Sequence, residues 1–270
     1  MAEFGLPSGP GAGRLVSRLR ALAGYLILPV ALLGGWQLLS SLGVIRPTIL
    51  PSPLQVAEVT TQLLKSRELI GHILSSGIRV IEGFALAAVA GLVLGIAIGL
   101  FRSVGHVAEL LLQLLKPIPP IAWIPLAILW FGIGEAAKVY IIFIGAFFPI
   151  LVNTIDGIRQ TDFRFVELAR ILEVPRSRFI RQVVLPSALP QIMTGLRIGL
   201  NIAWMCVVAA ELIAASSGVG FLIMDARQLS QTDVVLAGMI TMGLLGKLTD
   251  DALKRLETRL VTWRTAFVGH

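Results

Sequence analysis

Cysteine, histidine, tyrosine and charge are all scarce in this chain. Its 270 residues include one cysteine, three histidines and two tyrosines, and 14% are charged. The lone Cys206 cannot form an internal disulfide, so a disulfide-stapled small domain is excluded and the redox compartment stays open. His72, His106 and His270 are scattered without metal-ligand spacing. No nucleophile stands beside a base in sequence, and no carboxylate pair lies at catalytic spacing on one helix. Both absences argue against an enzyme. A soluble domain carries about 25% charged residues, so this chain is too poor in charge to be one.

Apolar residues take the place of the missing charge. They make up 56% of the chain, and the mean hydropathy is +0.84. These values describe an all-α, polytopic integral membrane protein. The net charge of +7, from 23 Lys and Arg against 16 Asp and Glu, then reports on sidedness rather than on nucleic acid, which is not expected as a partner.

A crossing helix needs about 20 predominantly apolar residues. Six segments are read as spans: 21–42, 83–101, 117–134, 139–155, 198–224 with its crossing part ending near Ala214, and the short 234–246. The first is longer than the roughly 7–15 apolar residues of a signal peptide and is followed by no small-x-small cleavage site, so it reads as a retained span. Six crossings leave both ends on one side. With the N-terminus inside, fifteen of the 23 Lys and Arg fall in cytoplasmic pieces and five in outer pieces, which predicts cytoplasmic termini. The layout is a cytoplasmic arm over 1–20, a transmembrane domain over 21–246 and a cytoplasmic amphipathic segment over 247–270.

Two segments outside the spans show helical stripes. Ser52-Pro53-Leu54-Gln55 predicts a capping box with proline at the first helical position. Val56, Val59, Leu63 and Ile70 then form one face of a short helix on the membrane surface. Leu253, Leu256, Leu260 and Trp263 make a second stripe, with Asp250–Lys254 and Asp251–Arg255 as favourable pairs on its polar side.

Gly91, Gly95 and Gly99, and then Gly195 and Gly199, are small residues at four-residue spacing that let helix backbones approach closely. They fit packing inside one subunit better than a dimer seam. The prolines at 117, 119, 120 and 125 break the third span, which is tolerated where protein or a water-lined cavity re-satisfies the freed carbonyls. Charges inside spans are functional candidates, and Glu211 is the foremost. Arg79 and Glu82 are placed to pair with each other, while Lys116 and Arg197 lie where long side chains snorkel. Gly243–Lys247 imitates part of a phosphate loop. Thr241 and Leu248 stand where glycine and Ser or Thr are required, so this is not a nucleotide site, any ATP chemistry must come from a partner, and no cofactor is expected.

The segment 156–190 is too polar to cross and rich in arginine. Asp162 can cap a helix over 163–172, Pro175 marks a turn, and Phe179, Ile180, Val183 and Val184 form one apolar face ahead of Leu185-Pro186. This predicts a cytoplasmic helix–turn–helix. A basic loop held against anionic membrane lipid is the plain alternative.

Glu167-Leu168-Ala169, three residues, Glu173, nine residues, then Val183-Val184-Leu185-Pro186 resembles the Glu-Ala-Ala loop of permease subunits of bacterial ABC importers, with both spacings matched. Leu168 replaces the middle alanine, Val183 an isoleucine and Glu173 the turn glycine. Glutamate resists the left-handed conformation that glycine takes, so either Glu173 keeps the family turn or Pro175 makes the bend instead. With stretches 51–56, 117–138, 145–159, 186–213 and 217–238, the chain is similar to permeases for nitrate, bicarbonate, taurine and aliphatic sulfonates. The resemblance implies a type I importer permease fold in a bacterial inner membrane. Its partners would be two copies of an ATP-binding subunit, a second permease copy in a homodimer, and a periplasmic or lipid-anchored binding protein. It casts Glu167, Leu168, Ala169, Arg170, Leu172, Glu173 and Pro175 as the ATPase-coupling surface. Pro120, Trp123, Trp204 and Glu211 are candidates for the translocation path. The rival reading is a secondary carrier or channel working without ATP, which broken helices and buried charge suit equally well but the matched loop does not.

Overall fold

The computed structural model describes residues 12–46 and 48–262. Among the described residues the chain is helical without strands, as an all-α membrane protein should be. In order, the helices are α1 (Ala12–Ser41), α2 (Pro53–Lys65), α3 (Glu68–Leu100), α4 (Arg102–Leu115), α5 (Ile124–Phe131) and α6 (Glu135–Arg159). They continue as α7 (Phe163–Ile171), α8 (Arg176–Phe179), α9 (Leu185–Ala214), α10 (Val219–Gln228) and α11 (Thr232–Leu260). α3, α6, α11 and the continuous helix Arg176–Ile213 are each long and apolar enough to cross a membrane.

The first expected span lies on α1, which begins at Ala12, so the expected arm is helical from that residue onward. Residues 1–11 lie outside the described residues, as do Trp263 and the chain beyond it. The capping box forms as expected. The Ser52 hydroxyl accepts from Gln55 N at 3.2 Å, and Gln55 Oε1 accepts from Ser52 N at 2.8 Å. α2 ends at Lys65, and the positive φ of Arg67 turns the chain into α3. Ile70 therefore falls on α3 and is exposed, and the residue joining Val59 and Leu63 is the buried Leu69. With Leu222, Ala226 and Val234 these residues dock α2 onto one end of the bundle.

The third span is not one rod. Residues 108–115 and 120–131 meet at 95°, joined by Lys116–Pro119 and a tight 3₁₀ turn over Pro120–Trp123. Pro117, Pro119 and Pro120 supply no N–H there, so the helical ladder cannot continue. At the other breaks, α9 stops at Ala214, where its crossing part was expected to end. The cytoplasmic helix after Pro175 is not separate as predicted. It runs through a π-helical turn, Ile180–Val184, directly into α9. Pro186 and Pro190 donate nothing, and Leu185 N reaches back to Ile180 O, five residues earlier. The sixth span and the C-terminal segment are likewise one helix, α11. Two of its acidic residues pair otherwise than expected, Asp250 with a tertiary partner and Asp251 with the lysine one turn before it instead of the arginine one turn after. Asp250 takes Arg197 of α9, with Oδ2 3.0 Å from Nη2, and Asp251 takes Lys247. Arg197, also 3.5 Å from Glu257, is held by acids rather than snorkelling.

The core is α6 laid between α3 and α9. Val80, Ala87, Ile141, Ile142, Ala146, Ile150, Ala203 and Val207 are buried together there. The glycine repeats make this contact within the subunit. A Cβ added at Gly95 would sit 2.7 Å from Thr154 Cβ, one at Gly99 3.0 Å from Ile158 Cβ, and one at Gly199 2.9 Å from Ile150 Cγ1.

Candidate coupling surface and buried charge cluster

The loop between α6 and α9 is built locally. Asp162 caps α7 by accepting from Arg164 N at 2.9 Å. At the other end Val174 N donates to Ala169 O at 2.9 Å and Glu173 N to Arg170 O at 3.2 Å. This is a Schellman cap, which places one residue in the left-handed region. That residue is Glu173, at φ +50°. Glutamate thus occupies the turn geometry that glycine favours, and Pro175 starts the next helix rather than making the bend.

No residue of α7 is buried. Phe163, Phe165, Leu168, Ile171 and Leu172 are all exposed, as are Glu167, Arg170, Glu173 and Pro175, while Ala169 is partly covered. Five large apolar side chains on about ten residues make an exposed apolar patch, mixed with a carboxylate and a guanidinium. Behind it the loop is anchored firmly. Phe179 and Val184 pack on Ile158, Ala188 and Ile192, and the Arg176 guanidinium lies 5.9 Å from the Phe101 ring centroid at the α3–α4 corner.

A second cluster lies at the opposite end of the bundle, around Glu211, which is 1% exposed. Its Oε1 accepts from Arg79 Nη1 at 2.7 Å and Ser76 Oγ at 2.8 Å. Its Oε2 accepts from Gly220 N at 2.8 Å. Ser76 Oγ also accepts from Val219 N at 2.8 Å, and His72 Nδ1 from Gly218 N at 3.0 Å. The turn between α9 and α10 is therefore wrapped over the carboxylate. Gly218, at φ +120°, leaves no room for a Cβ there.

Arg79 does not pair with Glu82, three residues along. A guanidinium is a planar fork that matches a carboxylate bidentately, and it finds one on another helix. Its Nε and Nη2 both donate to Glu135 at the start of α6, and its Nη1 also donates to Ser217 O at 2.7 Å. Lys138 Nζ reaches Glu135 Oε1 at 2.9 Å. Arg79 thereby ties α3 to α6, α9 and the α9–α10 turn. Ser76, Glu135, Lys138 and Gly218 were not singled out from sequence. Their only sequence signals are the Glu135–Lys138 spacing at a helix start and the Gly-x-Gly after Glu211.

The candidate path residues are spread over different surroundings. Pro120 lines a cavity of about 360 Å³ with Lys116, Phe148, Asn153 and Ile202. Trp123 packs on the core, and its Nε1 is buried without a hydrogen-bond partner. Trp204 is buried and donates to Thr249 Oγ1 of α11 at 2.9 Å. Glu211 belongs to the ion cluster. Lys116 is exposed beside Pro117.

Comparison with known proteins gives these features a context. The model of the family described as binding-protein-dependent transport system inner membrane component matches residues 88–262. The putative aliphatic sulfonates transport permease protein SsuC of Bacillus subtilis (strain 168) is 44% identical over 244 residues, 90% of this chain and 88% of the relative. The taurine transport system permease protein TauC of Escherichia coli (strain K12) is 36% identical, with 86% of each chain covered. The bicarbonate transport system permease protein CmpB of Synechococcus elongatus is 35% identical over 91% of this chain and 86% of its own. Among solved structures, an inward-facing MetNI methionine ABC transporter superposes with a TM-score of 0.60 at 18% identity. The match covers 71% of this chain and 95% of that chain, a likeness of fold.

Proposed function

This chain belongs to the family of binding-protein-dependent transport system inner membrane components, and we propose that it carries small oxyanions, with α7 as the surface that receives the ATPase stroke. It is a transport subunit rather than an enzyme, a permease of an ABC importer, and so works with an ATPase and a substrate-binding protein. That family removes the carrier or channel working without ATP. The proposed substrates are sulfonates, taurine and bicarbonate, which several relatives are named for, and nitrate, which the sequence resemblance adds. Two permease copies and two ATPase subunits form the proposed assembly, with both termini cytoplasmic and ATP bound only by the partner.

The exposed apolar face of α7, closed at its end by the Schellman turn at Glu173, is the observation that carries the coupling role. ATP can drive the permease between states only if the ATPase binds them with different free energies. A helix with no buried residue of its own but rooted through Phe179 and Val184 in the α6–α9 core is suited to transmit that difference. Glu167, Leu168, Ala169, Arg170 and Leu172 are the proposed contacts. Glu173 sets the turn, Pro175 leads into the next helix, and positive charge on the arginine-rich loop faces the cytoplasm.

The test is co-purification of the full chain with its ATPase, followed by ATP hydrolysis and uptake in vesicles. Glu167→Arg is expected to leave the protein in the membrane while hydrolysis no longer drives uptake. Undiminished ATP-driven uptake by that variant would remove the coupling role from α7.

A further inference from the structure

Glu135 holds a peculiar place in the charge cluster. Arg79 and Lys138 are each only 4% exposed, whereas the Glu135 side chain that pairs with both is 62% exposed. Glu135 also lines a cleft of about 800 Å³ between α3 and α6. Neither cation lines that cleft. Glu82 also lines it, and the rest of its walls are apolar and aromatic, with Leu86, Val89, Phe131, Tyr140 and Phe143 among them. Of the two carboxylates that line the cleft, Glu135 is the one paired with both buried cations. The other acid of the cluster differs in kind: Glu211 is fully enclosed and capped by Ser76 and Gly220.

We propose that Arg79 and Lys138 form a binding site for a monovalent oxyanion, which Glu135 fills at rest and which substrate takes from the cleft side by displacing the carboxylate. This rests on the oxyanion reading above and assigns it a place. The fork of Arg79 receives two oxygens from one carboxylate, and a sulfonate, nitrate or bicarbonate presents two oxygens in the same way. Lys138 supplies a point charge to one of them. Charge is conserved in the exchange. With all four groups ionised, Arg79 and Lys138 balance Glu135 and Glu211, and a monoanion in place of Glu135 keeps the balance. A dianion would leave an uncompensated charge beside the enclosed Glu211, which is costly at low dielectric. The apolar cleft meanwhile accommodates the alkyl part of an organic anion. Glu135 sits one residue after Gly134 and three after Gly132, at φ +75°, so its release does not require α6 to unwind.

Isothermal titration of the full-length chain in lipid nanodiscs with ethanesulfonate, with sulfate as the dianion control, tests the site. Glu135→Gln removes the competing charge and keeps the shape. It is expected to bind ethanesulfonate at least tenfold more tightly than the native chain, about 1.4 kcal/mol, and to gain thermal stability from the anion. Lys138→Gln should lose that binding, and sulfate should bind more weakly throughout. Glu135→Gln binding no tighter than native would overturn the proposal. So would undiminished binding by Lys138→Gln, which decides the matter if Glu135→Gln does not fold, or sulfate binding as well as ethanesulfonate. ATP-driven uptake of the anions with unchanged Glu135→Gln binding would defeat this site alone. The expected binding changes without any ATP-driven uptake would defeat the transport reading and leave the site.

Discussion

Glycine 218 shows how much one residue carries. Its φ of +120° is a region side-chain-bearing residues rarely adopt, and a Cβ would fall onto the Glu211 carboxylate. Strain of that kind costs about 1–3 kcal/mol before any clash is counted. Gly218→Ala is therefore expected to lower the melting temperature of the solubilised chain clearly. Gly243→Ala on α11, where nothing lies within 4 Å, should be neutral or stabilising by up to about 1 kcal/mol. Equal effects would mean that the turn does not press on Glu211. Glu211 itself was legible as a carboxylate inside an apolar run. Its partners were not, because Arg79 lies 132 positions away along the chain. Spacing arguments see only neighbours, and so offered Glu82 to Arg79. The choice of Glu135 follows from the approach of α3 to α6, which no local pattern records.

At the scale of elements, α1, α7 and α10 end in Schellman turns, and two of the three do without glycine. Arg67, Glu173 and Ser230 all take positive φ immediately after a helix, beside Gly43 after α1. A left-handed non-glycine residue costs roughly 1–2 kcal/mol, and the hydrogen bonds of each cap offset it. At α7 this divides two substitutions sharply. Glu173→Gly should relieve strain and preserve ATP-coupled uptake. Glu173→Pro fixes φ near −65° and removes the N–H that donates to Arg170 O, so the cap cannot form. It should abolish coupling while the spans stay folded, as read by uptake beside the melting temperature. Uptake surviving in the proline variant would show that the turn is dispensable. The cap of α7, the box at Ser52 and the end of α9 were readable because they depend on adjacent residues. The 95° break of the third span was foreshadowed by its prolines, yet its angle depends on how α5 packs against α6, and so it was not readable.

Over the whole molecule, the glycine seams and the coupling loop meet in α6. Gly91, Gly95 and Gly99 bring α3 against one side of it, and Gly195 and Gly199 bring α9 against the other. α7 leaves from its C-terminal end, and Phe179 and Val184 return the chain onto the same core. A push on α7 would therefore meet three helices packed backbone to backbone, which are expected to move as one body because close-packed cores do not deform continuously. Enlarging a seam residue should act differently from altering α7. Gly95→Leu forces a side chain into the space of Thr154, an overpacking expected to cost about 1–3 kcal/mol or more. The melting temperature and ATP-driven uptake should fall together. Glu167→Arg should lose uptake at an unchanged melting temperature, since its side chain touches solvent. If Gly95→Leu lost stability while each remaining folded molecule transported at the native rate, α3 would not be part of the moving body. The coupling stroke would then pass through α6 and α9 alone.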